Sequence, residues 1–229
     1  MDEFFYNKNI ECPCCKITFT TKRVRRRKLR IVGRDSDLNI KYKDVNPLHY
    51  LVWICPNCGY SATESEYTEL TKDDIKLLQK KIQSKWVQRD YGGIRSLKEV
   101  EESYKLAILI AKLLNKTNAY TGSLCLRLAW FYREQNDMEN EKKFLSHALE
   151  YLEKAYQQEH ISNSTFDEIT LTYLIGELHR KQGNTKKAVQ WYAKALEHPD
   201  IKNKRQIQIM AREQWRVARE ERQRNNIEK

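Results

Sequence analysis

The stretch "LTYLIGELHRKQGNTKKAVQWYAKALEHP", residues 171–199, carries the clearest structural pattern in the sequence. Gly176 is followed at 12, 16 and 19 positions by small or aromatic residues. These are Ala188, Tyr192 and Ala195. A glycine lets two helices approach closely, and the later residues can fill the space between them. Gly183 and Asn184 tolerate a left-handed backbone and fit the turn between the helices. The stretch therefore predicts a helical hairpin.

A second, poorer copy of this pattern begins at Leu124. Ala129 takes the place of the glycine, 47 residues before it, and Glu141 stands where the pattern has alanine. Both copies resemble the tetratricopeptide repeat, whose period is about 34 residues, so the second helix of the earlier copy must be long. An ordinary helical bundle with chance spacing is the alternative.

Composition divides the chain into four predicted segments. Residues 1–68 hold five of the six cysteines and three of the four prolines, and they predict a small β zinc ribbon with a basic hairpin arm. Residues 69–118 predict connecting helices, 119–200 the tetratricopeptide-like repeats and 201–229 a basic C-terminal capping helix. The predicted fold class is therefore mostly α, with a small N-terminal β zinc ribbon and a C-terminal helical-repeat array. Breaks between helices are expected at 91–96, 115–122 and 160–165.

The bulk properties describe a folded chain with a highly charged surface. Its 229 residues have a formal net charge of +11, a mean hydropathy of −0.80 and 10% aromatic residues. This balance is compatible with anionic partners. The sequence shows neither a signal peptide nor an apolar run of 18 residues, so we expect a cytoplasmic protein without membrane contact. In a reducing compartment, cysteines clustered in this way favour metal binding over disulfides.

Two Cys-Pro-x-Cys motifs stand out in the N-terminal segment, "CPCC" from Cys12 and "CPNC" from Cys55. Proline fixes φ, and the turn directs two thiolates three residues apart at one ion. Aligning the prolines places Cys14 opposite the spacer Asn57. The predicted metal ligands are Cys12, Cys15, Cys55 and Cys58. The alternatives are four buried or reactive thiols, or a redox-active pair.

One zinc ion is the predicted occupant, with iron as the alternative, because four thiolates suit both metals. Zinc is favoured since the 39 residues between Cys15 and Cys55 are mostly charged, whereas electron transfer would need a compact aromatic shell. Four cysteines leave no open coordination position, which argues against a catalytic metal. Lys16 stands where the second motif has Gly59 and should strain or widen the first bend.

The segment Lys22–Arg34 contains eight Lys or Arg residues and no acid, and we call it the basic arm. Charges on both faces at Arg25–Arg27 exclude a buried strand, so we expect a projecting hairpin. Candidate nucleic-acid contacts are Arg25, Arg26, Arg27 and Lys28, although such runs also occur as solvated surface or as compensation for metal thiolates. In the following "RDSD", Asp35 and Asp37 are expected in a turn, capping backbone N–H groups or pairing with Arg34, rather than in catalysis.

The order of motifs is similar to that of a known bacterial family. The motif "CPCC", Phe19, "RRRKLR", "RDSDL", "NPLHYLVWICPNCGY" and the degenerate repeat tail together resemble the uncharacterised bacterial domain-of-unknown-function family 2225 over nearly the whole chain. The resemblance implies an architecture without an activity, and it supports the same four cysteines as the metal ligands.

These patterns predict a non-enzymatic adaptor in which a metal-binding ribbon is joined to a helical surface for a protein or peptide partner. The helical wheel gives candidate partner-groove residues Arg127, Trp130, Arg133, Tyr173, Glu177 and Arg180. A nucleic-acid-binding protein that uses the basic arm is the alternative. No nucleophile elbow, phosphate loop or open metal triad is present in the sequence, and no small-molecule substrate is indicated.

Overall fold

The computed structural model describes residues 2–160 and 166–227, which form two compact units. The first unit comprises Met1–Gly33 and Lys41–Lys116, and the second comprises Arg34–Ile40 and Thr117–Lys229. The chain thus passes from one unit to the other three times. Residues 34–40, which we call the acidic segment, are grouped with the helices although they lie within the N-terminal stretch 1–68.

The strands form antiparallel pairs. The strands are β1 (Phe5–Glu11), β2 (Thr18–Val24), β3 (Ile31–Arg34), β4 (Ile40–Tyr42), β5 (Val52–Ile54) and β6 (Ser61–Thr63). β1 pairs with β2 so that Phe5 lies opposite Val24, and β5 pairs with β6. The sheets therefore hold the two cysteine motifs in the turns that follow β1 and β5.

Helices make up most of the remaining chain. In the first unit they are α1 (Lys72–Lys81) and α2 (Leu97–Leu113); in the second they are α3 (Asn118–Glu134), α4 (Met138–Gln158), α5 (Glu168–Lys181), α6 (Thr185–Glu197) and α7 (Arg205–Ile227). The predicted fold class, mostly α with a small N-terminal β part, is confirmed. None of the helices in the described residues is long and apolar enough to cross a membrane.

One expected helix break is shorter in the structure, and another lies mostly outside the described residues. The break at 115–122 is shorter than expected, because the Thr117 side chain accepts a hydrogen bond from the Tyr120 N–H and α3 begins at Asn118. Most of the break at 160–165 lies outside the described residues.

The helix pairs α3–α4 and α5–α6 have matching turns. Asn136 and Gly183 both adopt a left-handed backbone, with φ of 58° and 78°. The next residue in each turn donates its N–H to the carbonyl five residues earlier, at 2.9 Å in both cases. The two turns are 47 residues apart, as the aligned sequence copies are. The assignment of the pairs to a repeat family stays a prediction.

A glycine sits at a close approach in each helix pair. A Cβ on Gly176 of α5 would lie 2.9 Å from Cδ1 of Tyr192 on α6. In the α3–α4 pair the close approach is at Gly122, where a Cβ would lie 2.9 Å from Cδ2 of Leu152. The sequence pattern placed the equivalent position at Ala129, which is also fully buried.

We expect Gly176→Ala to lower the free energy of unfolding by about 1 kcal/mol. Overpacking against the rigid Tyr192 ring costs about 1–3 kcal/mol, and the better helix propensity of alanine offsets about 1 kcal/mol of it. Chemical denaturation followed by circular dichroism measures the change. Gly93→Ala, whose Cβ would meet nothing within 4 Å, is the control and should leave stability unchanged. Equal effects of both substitutions would contradict the close helix approach.

Candidate metal centre

The Sγ atoms of Cys12, Cys15, Cys55 and Cys58 lie within 4.8 Å of one another, and we call these residues the four-cysteine cluster. The Cys12 and Cys58 sulfurs are 3.6 Å apart, and those of Cys15 and Cys55 are 3.5 Å apart. A tetrahedron with Zn–S bonds of about 2.3 Å has sulfur–sulfur edges of about 3.8 Å. The donor set therefore fits a tetrahedral metal ion in both chemistry and size.

The two cysteine turns have the same backbone geometry. Lys16 donates its N–H to the Cys12 carbonyl at 2.8 Å, and Gly59 donates to the Cys55 carbonyl at 2.9 Å. Lys16 has φ of 62° and Gly59 has φ of 74°. Lys16 therefore does not widen the first bend, because the two turns close with equal hydrogen bonds. It does hold a non-glycine residue in the left-handed region, which is an unfavourable backbone conformation.

Position 59 requires glycine for a second reason. A Cβ there would lie 2.6 Å from Cε3 of Trp86, whose indole Nε1 donates to the Pro56 carbonyl at 2.8 Å. Trp86 therefore covers the second cysteine turn. Sequence reasoning missed this residue because it lies outside the segment 1–68; a lone tryptophan in a polar stretch was the available signal.

Hydrogen bonds within the cluster give the cysteines different pKa values. Contacts with the Cys55 and Cys58 thiols, together with backbone N–H groups of Cys15 and Cys14, lower the pKa of Cys12 to about 2. The hydrogen bond to Cys12 raises the pKa of Cys58, and burial adds to this effect. One thiolate thus opposes ionisation of its neighbours, so full ionisation requires a cation that offsets the charge.

Aromatic residues belong to the same hydrophobic core as Cys12, Cys55 and Cys58. The Tyr67 ring centroid lies 5.0 Å from that of Tyr60, 5.6 Å from that of Trp53 and 6.2 Å from that of Phe19. Burial and the charge of the cysteines raise the pKa of Tyr67. Aromatic residues from β2, β5 and the loop after β6 thus pack together in space, so the charged sequence between the two motifs does not by itself separate zinc from iron; the donor set is compatible with zinc.

Cys14 is not a member of the four-cysteine cluster but lies beside it. Its side chain is buried, and a hydrogen bond with Cys58 lowers its pKa. Cys125 is buried in α3, in the second unit.

The basic arm differs from the expected strand. Arg26–Lys28 form a 3-10 turn between β2 and β3. Arg25 donates from Nε to the Phe5 carbonyl at 3.1 Å, and the Lys28 ammonium lies 3.2 Å from the Glu3 carboxylate. Arg26 and Arg27 are exposed and make no ion pair or hydrogen bond from their side chains to the residues that the structure describes.

Four of the six candidate groove residues meet around the acidic segment. Arg133 binds Asp35 and Asp37. From the sequence we expect these carboxylates to cap backbone N–H groups or to pair with Arg34, whereas their partner is an arginine far away in the sequence. Tyr173 and Glu177 contact Ser36. The fourth, Arg180, binds Glu177.

The other two candidate groove residues take no part in these contacts. Arg127 and Trp130 are half-buried on α3. The indole Nε1 of Trp130 is buried without a hydrogen-bond partner in the described part of the chain.

Comparison with known proteins assigns the chain to a family. The sequence profile of the family described as "Uncharacterized protein conserved in bacteria (DUF2225)" matches residues 5–218. The chain belongs to this family. An uncharacterized protein of Borreliella burgdorferi (strain B31) is 27% identical over an alignment of 171 residues, which covers 67% of this chain and 60% of that relative. The chain therefore spans about 60% of the length of this relative. No solved structure matches it.

We expect Cys15→Ser to reduce the metal content of the purified protein far below one ion per chain and to lower its thermal stability. A serine hydroxyl is a poor replacement for a thiolate ligand, and a structural metal contributes directly to folding. Elemental analysis and thermal unfolding measure both effects. Cys14→Ser is the matched control, because it removes a neighbouring buried thiol and should leave the metal content intact. Metal loss in Cys14→Ser equal to that in Cys15→Ser would contradict the assignment of ligands.

Proposed function

We propose that this protein is a non-enzymatic adaptor, in which a structural zinc ribbon is joined to a tetratricopeptide-like helical surface that binds a protein or peptide partner. The metal part rests on the four-cysteine cluster. Four thiolates complete a tetrahedral shell and leave no position for a substrate or an activated water, which supports a structural role. Zinc and iron are distinguished by elemental analysis together with the visible absorption that an iron–thiolate site would show.

One observation carries the partner-binding part of the proposal. Side chains of α3 and α5 hold the acidic segment, which precedes the contacting residues by 96 to 141 positions in the sequence. The segment has no regular helical pairing with them and is held by side-chain contacts to its carboxylates, hydroxyl and carbonyl. The helical surface thus has the chemistry needed to bind an irregular peptide.

The proposal predicts that partner retention depends on the two groove residues that are free of the acidic segment. Affinity purification of the wild-type chain followed by mass spectrometry identifies retained proteins. Arg127→Glu combined with Trp130→Ala should abolish their retention, since it changes the charge and removes a large contact surface.

Lys187→Glu is the matched control, because this exposed lysine on α6 carries a similar charge change away from the groove residues. The control should retain the same proteins as the wild type. Retention that is unchanged in the Arg127→Glu, Trp130→Ala variant would contradict the proposed surface.

Nucleic-acid binding is a second candidate because of a concavity beside the basic arm. This cavity of about 520 Å³ is lined by Tyr6, Val24 and five cationic side chains. The cations are Arg23, Arg25, Arg26, Arg27 and Lys28. Exposed cations next to a tyrosine ring can bind phosphates while a base stacks on the ring.

If the basic arm binds nucleic acid, Arg26→Glu combined with Arg27→Glu should abolish retention of RNA or DNA and flatten its salt dependence. Each lost phosphate contact reduces the slope of log K against log salt by about 0.7–0.9. Filter binding over a salt series measures both quantities. Lys80→Glu combined with Lys81→Glu on α1 is the control, because it changes the net charge by the same amount. Equal loss of binding in both variants would show that binding depends on net charge and not on the basic arm.

A further inference from the structure

We propose that the acidic segment, residues 34–40, occupies in cis a peptide site whose ligand in trans is an acidic segment of a partner protein. The ligand has two carboxylates at positions i and i+2, with a small residue between them and an aliphatic residue after them. This inference rests on the proposed adaptor function and names its partner class. The contacts of Asp35, Ser36, Asp37 and Leu38 define the chemistry that the site accepts.

Arg133 provides the anchor for the two carboxylates. Its Nη1 donates to Asp35 at 2.9 Å and to Asp37 at 3.0 Å, and its Nη2 donates to the second oxygen of Asp37. Asp37 is fully buried, and the Lys181 ammonium lies 3.8 Å from it. A planar guanidinium binds a carboxylate with two parallel hydrogen bonds, which gives both affinity and directional selectivity.

The middle of the segment is recognised through its main chain and one hydroxyl. Tyr173 donates its hydroxyl to the Ser36 carbonyl, and Ser36 donates its own hydroxyl to Glu177, each at 2.5 Å. Glu177 is fully buried, so its carboxylate depends on such donors. Burial raises the pKa of Tyr173, which keeps its hydroxyl protonated as a donor.

Leu38 supplies an apolar contact at the end of the segment. It packs against the hydrophobic cluster of α5, α6 and α7 that contains Ile169, Tyr173 and Tyr192. An aliphatic side chain at this point buries apolar surface next to the acid-binding end. The site therefore distinguishes an acidic pair followed by an aliphatic residue from a purely acidic stretch.

The binding side chains are held in place by partners that do not belong to the segment. Glu141 accepts from Arg133 Nε at 2.7 Å, and Glu221 accepts from Arg180 Nη1 at 3.0 Å. Arg180 in turn donates to Glu177 at 2.8 Å. None of these contacts involves residues 34–40, so they can keep the site organised for another ligand.

The segment itself is an imperfect occupant. Leu38 adopts φ of 70°, in the left-handed region that a branched side chain rarely enters. The Oδ1 atom of Asn39 is buried and has no hydrogen-bond partner among the described residues. Both features weaken binding in cis, and a peptide without them can displace the segment.

The test uses the purified full-length chain and a fluorescently labelled peptide with the sequence of residues 33–40, "GRDSDLNI". Asp35→Asn combined with Asp37→Asn weakens the occupant and leaves the site residues intact. We expect this variant to bind the peptide at least about tenfold more tightly than the wild type, because a blocked site reduces the apparent affinity by its open fraction. Fluorescence anisotropy measures the affinity.

Three controls make the result specific. Arg133→Gln added to the opened variant should abolish binding, whereas Arg212→Gln, at an exposed arginine of α7 outside these contacts, should leave it unchanged. A peptide with both aspartates replaced by asparagine should not bind. Ser36→Ala is a milder opening variant if the double variant does not fold, since it removes only the hydroxyl contact to Glu177.

Hydrogen exchange of the wild type gives a readout that needs no variant. Excess peptide should accelerate exchange of residues 34–40 as it displaces them. Absence of binding to folded opened variants, with unchanged exchange in the wild type, would overturn the proposal. A wild-type dimer that the peptide converts to monomers would also overturn it, since the occupant would then come from a second copy.

The adaptor proposal is tested separately. The peptide experiment uses only purified components, so its failure removes the acidic ligand class. Partner retention that depends on Arg127 and Trp130 would still support an adaptor.

Discussion

Four sulfur atoms from two turns converge within 4.8 Å, and this convergence constrains the N-terminal part of the molecule. The turns are separated by 39 residues between Cys15 and Cys55, so bringing them together costs chain entropy. Charge repulsion among ionised thiols adds to this cost, and a divalent cation removes it. The matching backbone geometry at Lys16 and Gly59 shows that both turns meet the same requirement, even where the local residue is unfavourable for it.

The helical unit depends on a different kind of constraint, a buried polar centre. Glu177 and Asp37 are fully buried carboxylates, and each is surrounded by donors. Tyr192, Ser36 and Arg180 donate to Glu177, while Arg133 binds Asp37. Removing one partner from such a centre leaves a buried charge without compensation, which is strongly destabilising. The polar centre therefore specifies which chain segment can lie against α3 and α5.

Much of this architecture follows from local patterns in the sequence. The spacing of the cysteines and their prolines is sufficient to select the four that meet in space, because a turn of this type is built from adjacent residues. The turn at Gly183 follows from its tolerance of the left-handed backbone. The positions of Trp86, Tyr67 and Asp37 could not be predicted, since they depend on contacts between residues far apart in the chain. The charge pattern at Arg25–Lys28 predicted a projecting hairpin but not the 3-10 turn that Arg26–Lys28 form between β2 and β3.

The placement of the acidic segment has a consequence for the order of events during synthesis. All four cysteines lie within the first 58 residues, so the metal site can form early. The acidic segment is made at nearly the same time, yet Arg133 and Glu177 follow it by 96 and 141 residues. Domains form during translation as their parts emerge, and long-range contacts must wait for the later partner. The nascent chain therefore carries residues 34–40 without their helical contacts until most of the protein has been translated.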